Sequence, residues 1–266
     1  MVQSKKNFFN QIKIHSQYSI CEGALKIEDL KEYCKKNKIQ SVGISDTYNL
    51  SGALEFSESI SSVGTQPIIG SQILFKYKNN YGVIPLIARN YKGYQNLIEL
   101  SSKAYLENHN NDNPHCSVED LLKFGDGLIV LSGSINNLIG NLFNKGLFDD
   151  LDELINLLNS KFNENFYLEI QRHGDLNEKQ FEHFNLLLSK KFKIPIIATN
   201  EVYYLEKEMH EAHDALMCIS QKTYINDQKR LKLSNNHYLK PSNEMIEIFE
   251  DLPEALENNY NLPLRC

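Results

Sequence analysis

Ile12-Lys13-Ile14-His15-Ser16-Gln17-Tyr18-Ser19-Ile20-Cys21-Glu22-Gly23-Ala24 begins as a short apolar run and turns polar at His15-Ser16. The same change recurs along the chain. Val42-Gly43-Ile44-Ser45 runs into Asp46, Ile68-Ile69-Gly70-Ser71 into Gln72, Leu168-Glu169-Ile170-Gln171 into Arg172-His173-Gly174, and Ile196-Ile197-Ala198-Thr199 into Asn200-Glu201. Taking all runs of this kind predicts strands over 11–15, 41–45, 67–72, 82–88, 127–132, 165–171 and 195–199. Runs that are apolar throughout, rather than alternating, suit strands buried on both faces and hence a parallel sheet.

Between the strands lie amphipathic helical patterns. Ile27, Leu30 and Cys34 share one face, with Glu28, Asp29, Lys31 and Glu32 opposite. Leu151, Leu154, Ile155 and Leu158 repeat the spacing, as do Phe181, Phe184 and Leu188. Ser117 before Asp120, and Asp175 before Glu178, read as helix starts. Repeated strand-then-helix units imply an α/β barrel or a doubly wound sheet. The stretch Asn108-His109-Asn110-Asn111-Asp112-Asn113-Pro114 reads as a loop insertion over 107–116 within a single domain spanning 1–266, because the alternation resumes after it. The final Leu262-Pro263-Leu264-Arg265-Cys266 has no tail signal, so a longer natural chain is expected.

Composition narrows the function. Hydrophobic residues are 41% and charged residues 23% of 266, as in globular chains with a real core. No apolar run approaches the ~20 residues that cross a bilayer, and no apolar segment follows the first lysines as a secretory signal requires. Five scattered cysteines, never at CxxC spacing, fit reduced thiols in the cytoplasm better than a disulfide framework. With 28 basic and 34 acidic residues the net charge is −6, without the basic excess of a protein that holds DNA alone.

In a parallel barrel the carboxyl ends of the strands converge on one face, and histidines and carboxylates gathered there are the raw material of a divalent-metal site. The plainer reading is that they are loop-entry polar residues, which every α/β protein has. His210-Glu211-Ala212-His213 does not have HExxH spacing, and His213 reads as a structural or solvent-facing residue. Gly125-Asp126-Gly127 and Gly133-Ser134 are turns without the lysine of a phosphate loop.

The opening stretch resembles the first motif of the PHP (polymerase and histidinol phosphatase) domain, in the form found at the amino terminus of bacterial replicative DNA polymerase III alpha subunits. Further segments agree in order: Ile44-Ser45-Asp46-Thr47-Tyr48-Asn49-Leu50, Pro67-Ile68-Ile69-Gly70, Gly93-Tyr94-Gln95-Asn96-Leu97, Leu168-Glu169-Ile170-Gln171-Arg172-His173-Gly174 and Ala198-Thr199-Asn200-Glu201-Val202-Tyr203-Tyr204. The resemblance implies a distorted (β/α)7 TIM-like barrel. In active relatives it implies up to three metals held by HxH, Asp-His, a glutamate, a His before Gly, and Asp-x-His. Here those positions read Lys13-Ile14-His15, Asp46-Thr47, Gln72, His173 and Glu201-Val202-Tyr203. Donors therefore remain at His15, Asp46, His173 and Glu201, while Lys13, Thr47, Gln72 and Tyr203 replace ligands.

The physics of those departures is one-sided. An ammonium about 4 Å from a dication is repelled by about 8 kcal/mol at an effective dielectric near 20, and a neutral tyrosine ligates weakly. The ammonium of Lys13 can instead neutralise Asp46 or Glu201. No cofactor is expected beyond a single weakly bound Zn, Mn or Mg ion, and no catalytic residue is assigned. The resemblance implies a degenerate metal site and a structural role in DNA replication. The implied partners are the remainder of the polymerase alpha subunit and a proofreading exonuclease subunit, with DNA met only through the full polymerase and no membrane contact. The alternative is an active metal-dependent phosphoesterase or 3′–5′ exonuclease.

Overall fold

The computed structural model describes residues 8–107 and 113–266. Among these, nine strands follow one another: β1 (Lys13–Ile14), β2 (Ser41–Thr47), β3 (Gln66–Tyr77), β4 (Asn80–Ala88), β5 (Cys116–Ser117), β6 (Leu128–Leu131), β7 (Phe166–Ile170), β8 (Ile196–Ala198) and β9 (Glu201–Val202). They join in the order β8-β7-β6-β4-β3-β2-β1-β9, with β5 attached to β3. The two ends of that row are consecutive in the chain, since β8 stops at Ala198 and β9 begins at Glu201. Three residue steps reach at most ~11 Å. Eight flat strands about 4.8 Å apart would hold the edges about 34 Å from each other. The sheet must therefore curl until its ends meet, giving a distorted TIM-like α/β barrel. Thr199 N donates to Ile170 O (3.1 Å) at one side of the link, and Glu201 pairs with Lys13 at the other.

The sheet is mixed, which corrects the all-parallel expectation. β4 runs antiparallel to both β3 and β6. The cause is local: Lys78 adopts φ 52°, and a two-residue turn returns the chain at once. β3 consequently runs on to Tyr77, five residues past its predicted end. Residues 108–112 of the expected insertion lie outside the described residues, and beyond them Cys116–Ser117 pairs along β3. Ser117 and Asp120 form the expected capping box. The second expected helix start differs. The helix Glu178–Phe192 follows Asn177 at φ 63°, and Glu178 N takes the main-chain carbonyl of Asp175 rather than its side chain.

The barrel has two apolar layers. Outside, Ile14, Val42 and Ile44 pack with Ile27, Leu30, Cys34, Phe56 and Ile60, while Phe75, Leu86, Val130 and Leu168 pack with the remaining helices. Inside one end, Ile12, Ile68, Ile87, Ile129, Tyr167 and Ile197 form a plug closed by Leu262. Each fully buried Ile or Leu contributes about 1.5–3 kcal/mol, so this floor is held without any ion. Side chains alternate along a strand. Two residues on from Tyr167, Ile197 and Gly70, the same strands therefore present Glu169, Thr199 and Gln72, and the interior becomes polar toward its mouth.

Candidate functional site

Lys13 is fully buried, and it meets one of its two expected partners, Glu201, together with a second carboxylate, Glu169, that the sequence reading did not single out. Its Nζ donates to Glu169 Oε1 (2.9 Å) and lies 3.5 Å from Glu201 Oε1. Burial alone would lower the lysine pKa, but the two carboxylates outweigh it and hold the group above its ordinary value. Burial likewise opposes ionisation of Glu201, yet Lys13, His15 and Gln72 hold its carboxyl well below the usual range. Glu169 Oε1 also accepts from Gln171 Nε2 (2.7 Å) and from Thr199 Oγ1. Glu169 was missed as a site residue; the signal was a carboxylate in an otherwise apolar strand.

Asp46 does not meet the ammonium, contrary to one of the two pairings expected. It accepts from Ser16 N (2.7 Å), Ser16 Oγ (2.8 Å) and Ser19 Oγ (2.7 Å), and so clamps the loop that follows β1. His15 sits between the two groups. Its Nε2 is 3.1 Å from Glu201 Oε1 and 3.0 Å from Gln72 Nε2, and its Nδ1 faces Thr47 Oγ1 and Ser19 Oγ. Gln72 donates to Glu201 (2.6 Å), and Thr47 donates to Glu22 Oε2 (2.6 Å). Tyr203 stacks on His15 at 4.4 Å; burial and the nearby Glu201 push its hydroxyl pKa far up, so it is a neutral phenol. His213 is buried with Nε2 against Glu22 O (2.8 Å), in agreement with its structural reading.

The four residual donors thus do not converge on one point. His15 and Glu201 are in contact, Asp46 is committed to the β1 loop, and His173 reaches Glu201 only through the main chain, whose N–H donates to His173 Nε2 (3.2 Å). A different trio is brought together. His173, Asp175 and His237 each place one ligand atom within 4.8 Å of the others. Asp175 had been read only as a helix start, and His237 lies in Ser234-Asn235-Asn236-His237, which carries no motif. A cavity of about 160 Å³ opens above these groups, lined among others by His15, Gln72, Asp175, Glu201, Tyr203 and His237.

Residues 11–173 match the PHP domain family. The chain belongs to this family. It is 33% identical to the DNA polymerase III subunit alpha of Caulobacter vibrioides, an alignment covering 97% of this chain and 23% of that protein. It is 38% identical to the protein of the same name from Rickettsia conorii, covering 97% and 22%, and 35% identical to that of Borreliella burgdorferi, covering 99% and 24%. The chain therefore spans about a quarter of the length of these relatives. Among solved structures it is similar to a two-domain protein of Bacteroides vulgatus containing a predicted PHP-like metal-dependent phosphoesterase, with TM-score 0.47, 10% identity, and 90% and 62% of the two chains covered. In this PHP barrel the mouth holds an ammonium between two carboxylates, and among the described residues no helix is long and apolar enough to cross a membrane.

Proposed function

We propose that this chain is the amino-terminal PHP domain of a bacterial replicative polymerase alpha subunit, working in the cytoplasm as a scaffold and as the docking platform for a proofreading exonuclease subunit. DNA is met only through the rest of the polymerase. The family's hydrolytic centre is degenerate, and the observation that carries this is Lys13 Nζ seated between Glu169 and Glu201. A charge fixed by the chain takes over the role of the ions. His15 and Asp46 are already saturated by neighbours, which further supports the reading.

The competing reading, an active metal-dependent phosphoesterase or 3′–5′ exonuclease, is favoured by one observation, the His173–Asp175–His237 group. Hydrolysis assays with Mn, Zn or Mg separate the two. The expected result is no turnover of phosphate esters or DNA 3′ ends above buffer. Turnover that disappears in His173→Ala would overturn the proposal.

A further inference from the structure

The imidazoles of the trio at the end of β7 are each held through Nδ1 by an oxygen. His237 Nδ1 lies 3.0 Å from the main-chain oxygen of Glu201. A carbonyl only accepts, so this nitrogen carries the proton and Nε2 keeps its lone pair. That lone pair faces Asp175 Oδ2 at 3.3 Å. Two electron-rich atoms facing each other call for a cation between them, either a second proton or a metal ion. Ligands on bonds of about 2.0–2.1 Å at the tetrahedral angle are themselves about 3.3 Å apart.

His173 is oriented in the same manner. Its Nδ1 faces Glu178 Oε1 (3.3 Å), and the same carboxylate takes the N–H groups of His173 (2.9 Å) and Gly174 (2.7 Å). Its Nε2 lies 3.2 Å from Glu201 N and 3.1 Å from Asn200 Oδ1; with the proton on Nδ1 toward Glu178, Nε2 holds the lone pair, which an ion takes over from the Glu201 N–H. Imidazoles held through Nδ1 by a carboxylate and a main-chain carbonyl are the supporting arrangement of metal-bound histidines. The carriers are also stapled together: Ser234 Oγ (2.7 Å) and Asn236 Nδ2 (2.8 Å) both donate to His173 O, and Ser234 N donates to Asp175 Oδ1 (3.4 Å). The two rings stack at 4.0 Å and 7°, so their in-plane lone pairs run in parallel planes, and closing on an ion turns one ring out of the stack. Asp175 and His237 line the cavity, which leaves the remaining coordination position open to water.

We propose that His173, Asp175 and His237 form a mononuclear transition-metal site that pins the 234–237 segment to the end of β7. Two nitrogens and one carboxylate favour Zn2+ over the all-oxygen preference of Mg2+ or Ca2+. Only His173 belongs to the family's ligand positions; Asp175 and His237 do not. The site does not depend on the polymerase reading.

The test uses chelator-treated protein titrated with ZnCl2 by calorimetry and with CoCl2 by visible absorption. The expected result is one ion per chain, a tetrahedral Co2+ spectrum, and a melting temperature that climbs with Zn2+ concentration. Asp175→Asn, which keeps the shape of a half-buried side chain, and His237→Ala are expected to abolish the spectrum, and Glu178→Gln to weaken binding about 10–100-fold. Absence of binding at millimolar Zn2+ would overturn the site. So would binding that survives Asp175→Asn and His237→Ala but is lost in His15→Ala, which would place the ion at the family's older positions.

Discussion

Asn200 and Glu201 are neighbours in the link that closes the barrel, and each holds a buried lysine. Lys13 Nζ meets the carboxylates of Glu169 and Glu201. Lys240 Nζ meets only neutral oxygens, Asn200 Oδ1 at 3.1 Å and the main-chain oxygen of Asn236. Both side chains are taken from water, Lys13 being 0% and Lys240 3% exposed. The outcomes are opposite: the carboxylates raise the Lys13 pKa, whereas burial lowers that of Lys240 to about 8. Burial alone therefore does not decide whether a lysine stabilises this barrel; the charge of its partner does.

The largest effect expected from that contrast is at Lys13. Lys13→Met leaves Glu169 and Glu201 as uncompensated acids in a closed interior, and removing one partner of a buried pair costs about 3–5 kcal/mol. Both partners lie on short segments of the closing sheet, so the loss is expected as lower global stability in urea, with the slope unchanged. A midpoint equal to that of the parent protein at neutral pH would refute the ion pair as the substitute for the family's metals.

Lys240 is expected to behave in the reverse sense, and only in a defined window. Its folded pKa, near 8, lies below the ordinary 10.5. Between these values the unfolded chain holds a proton that the folded chain does not, so folding stability rises with pH across this range, by at most about 3 kcal/mol. Below pH 8 the folded state carries the buried charge and its full cost. Lys13 contributes nothing to this window, because a raised pKa is lost only above the ordinary value. Replacing Lys240 by methionine removes the charge but also strands Asn236 O and Asn200 Oδ1, worth about 1–3 kcal/mol each if left unbonded. The clean readout is the difference between parent and Lys240→Met in urea at pH 7.5, 9 and 10.5. That difference should shift in favour of the parent as pH rises, and a flat one would show that Lys240 keeps the ordinary lysine pKa in the folded state.

How much of this was legible depended on the range of the signal. The strands were readable because runs such as Leu128–Leu131 are apolar at every position. The β3–β4 hairpin was not, because Tyr77-Lys78-Asn79-Asn80 contains neither Gly nor Pro and its left-handed residue is a lysine. Glu169 could have been found as an acid inside a buried strand. His237 and Lys240 could not, since their neighbours His173 and Asn200 are brought to them only by closure of the barrel. Asp46 was placed correctly at the strand end, but its direction was not readable, because Ser16 and Ser19 compete for it from a loop whose turn no motif specifies.

That competition supplies the smallest expected effect. If Asp46 belongs to the β1 loop and Lys13 to the Glu169–Glu201 pair, the two residues share no bonding partner, and their energies should be nearly independent. Asp46→Asn keeps the shape of the side chain and turns one of its oxygens into an amide that cannot accept from both Ser16 groups and Ser19. Its own cost is therefore set by the loss of charge-assisted bonds, about 1.5–3 kcal/mol each at most. Combined with Lys13→Met, it should add to within about 0.5 kcal/mol, as for sites without common contacts. The same cycle with Glu169→Gln should be strongly non-additive, because neutralising that carboxylate relieves the acid that Lys13→Met exposes. His15 is the one bridge between the two groups, touching Glu201 on one nitrogen and Ser19 on the other. A coupling for Lys13 and Asp46 comparable to that for Lys13 and Glu169 would mean that the mouth responds as a single charged unit, and the division into an ion pair and a loop clamp would have to be given up.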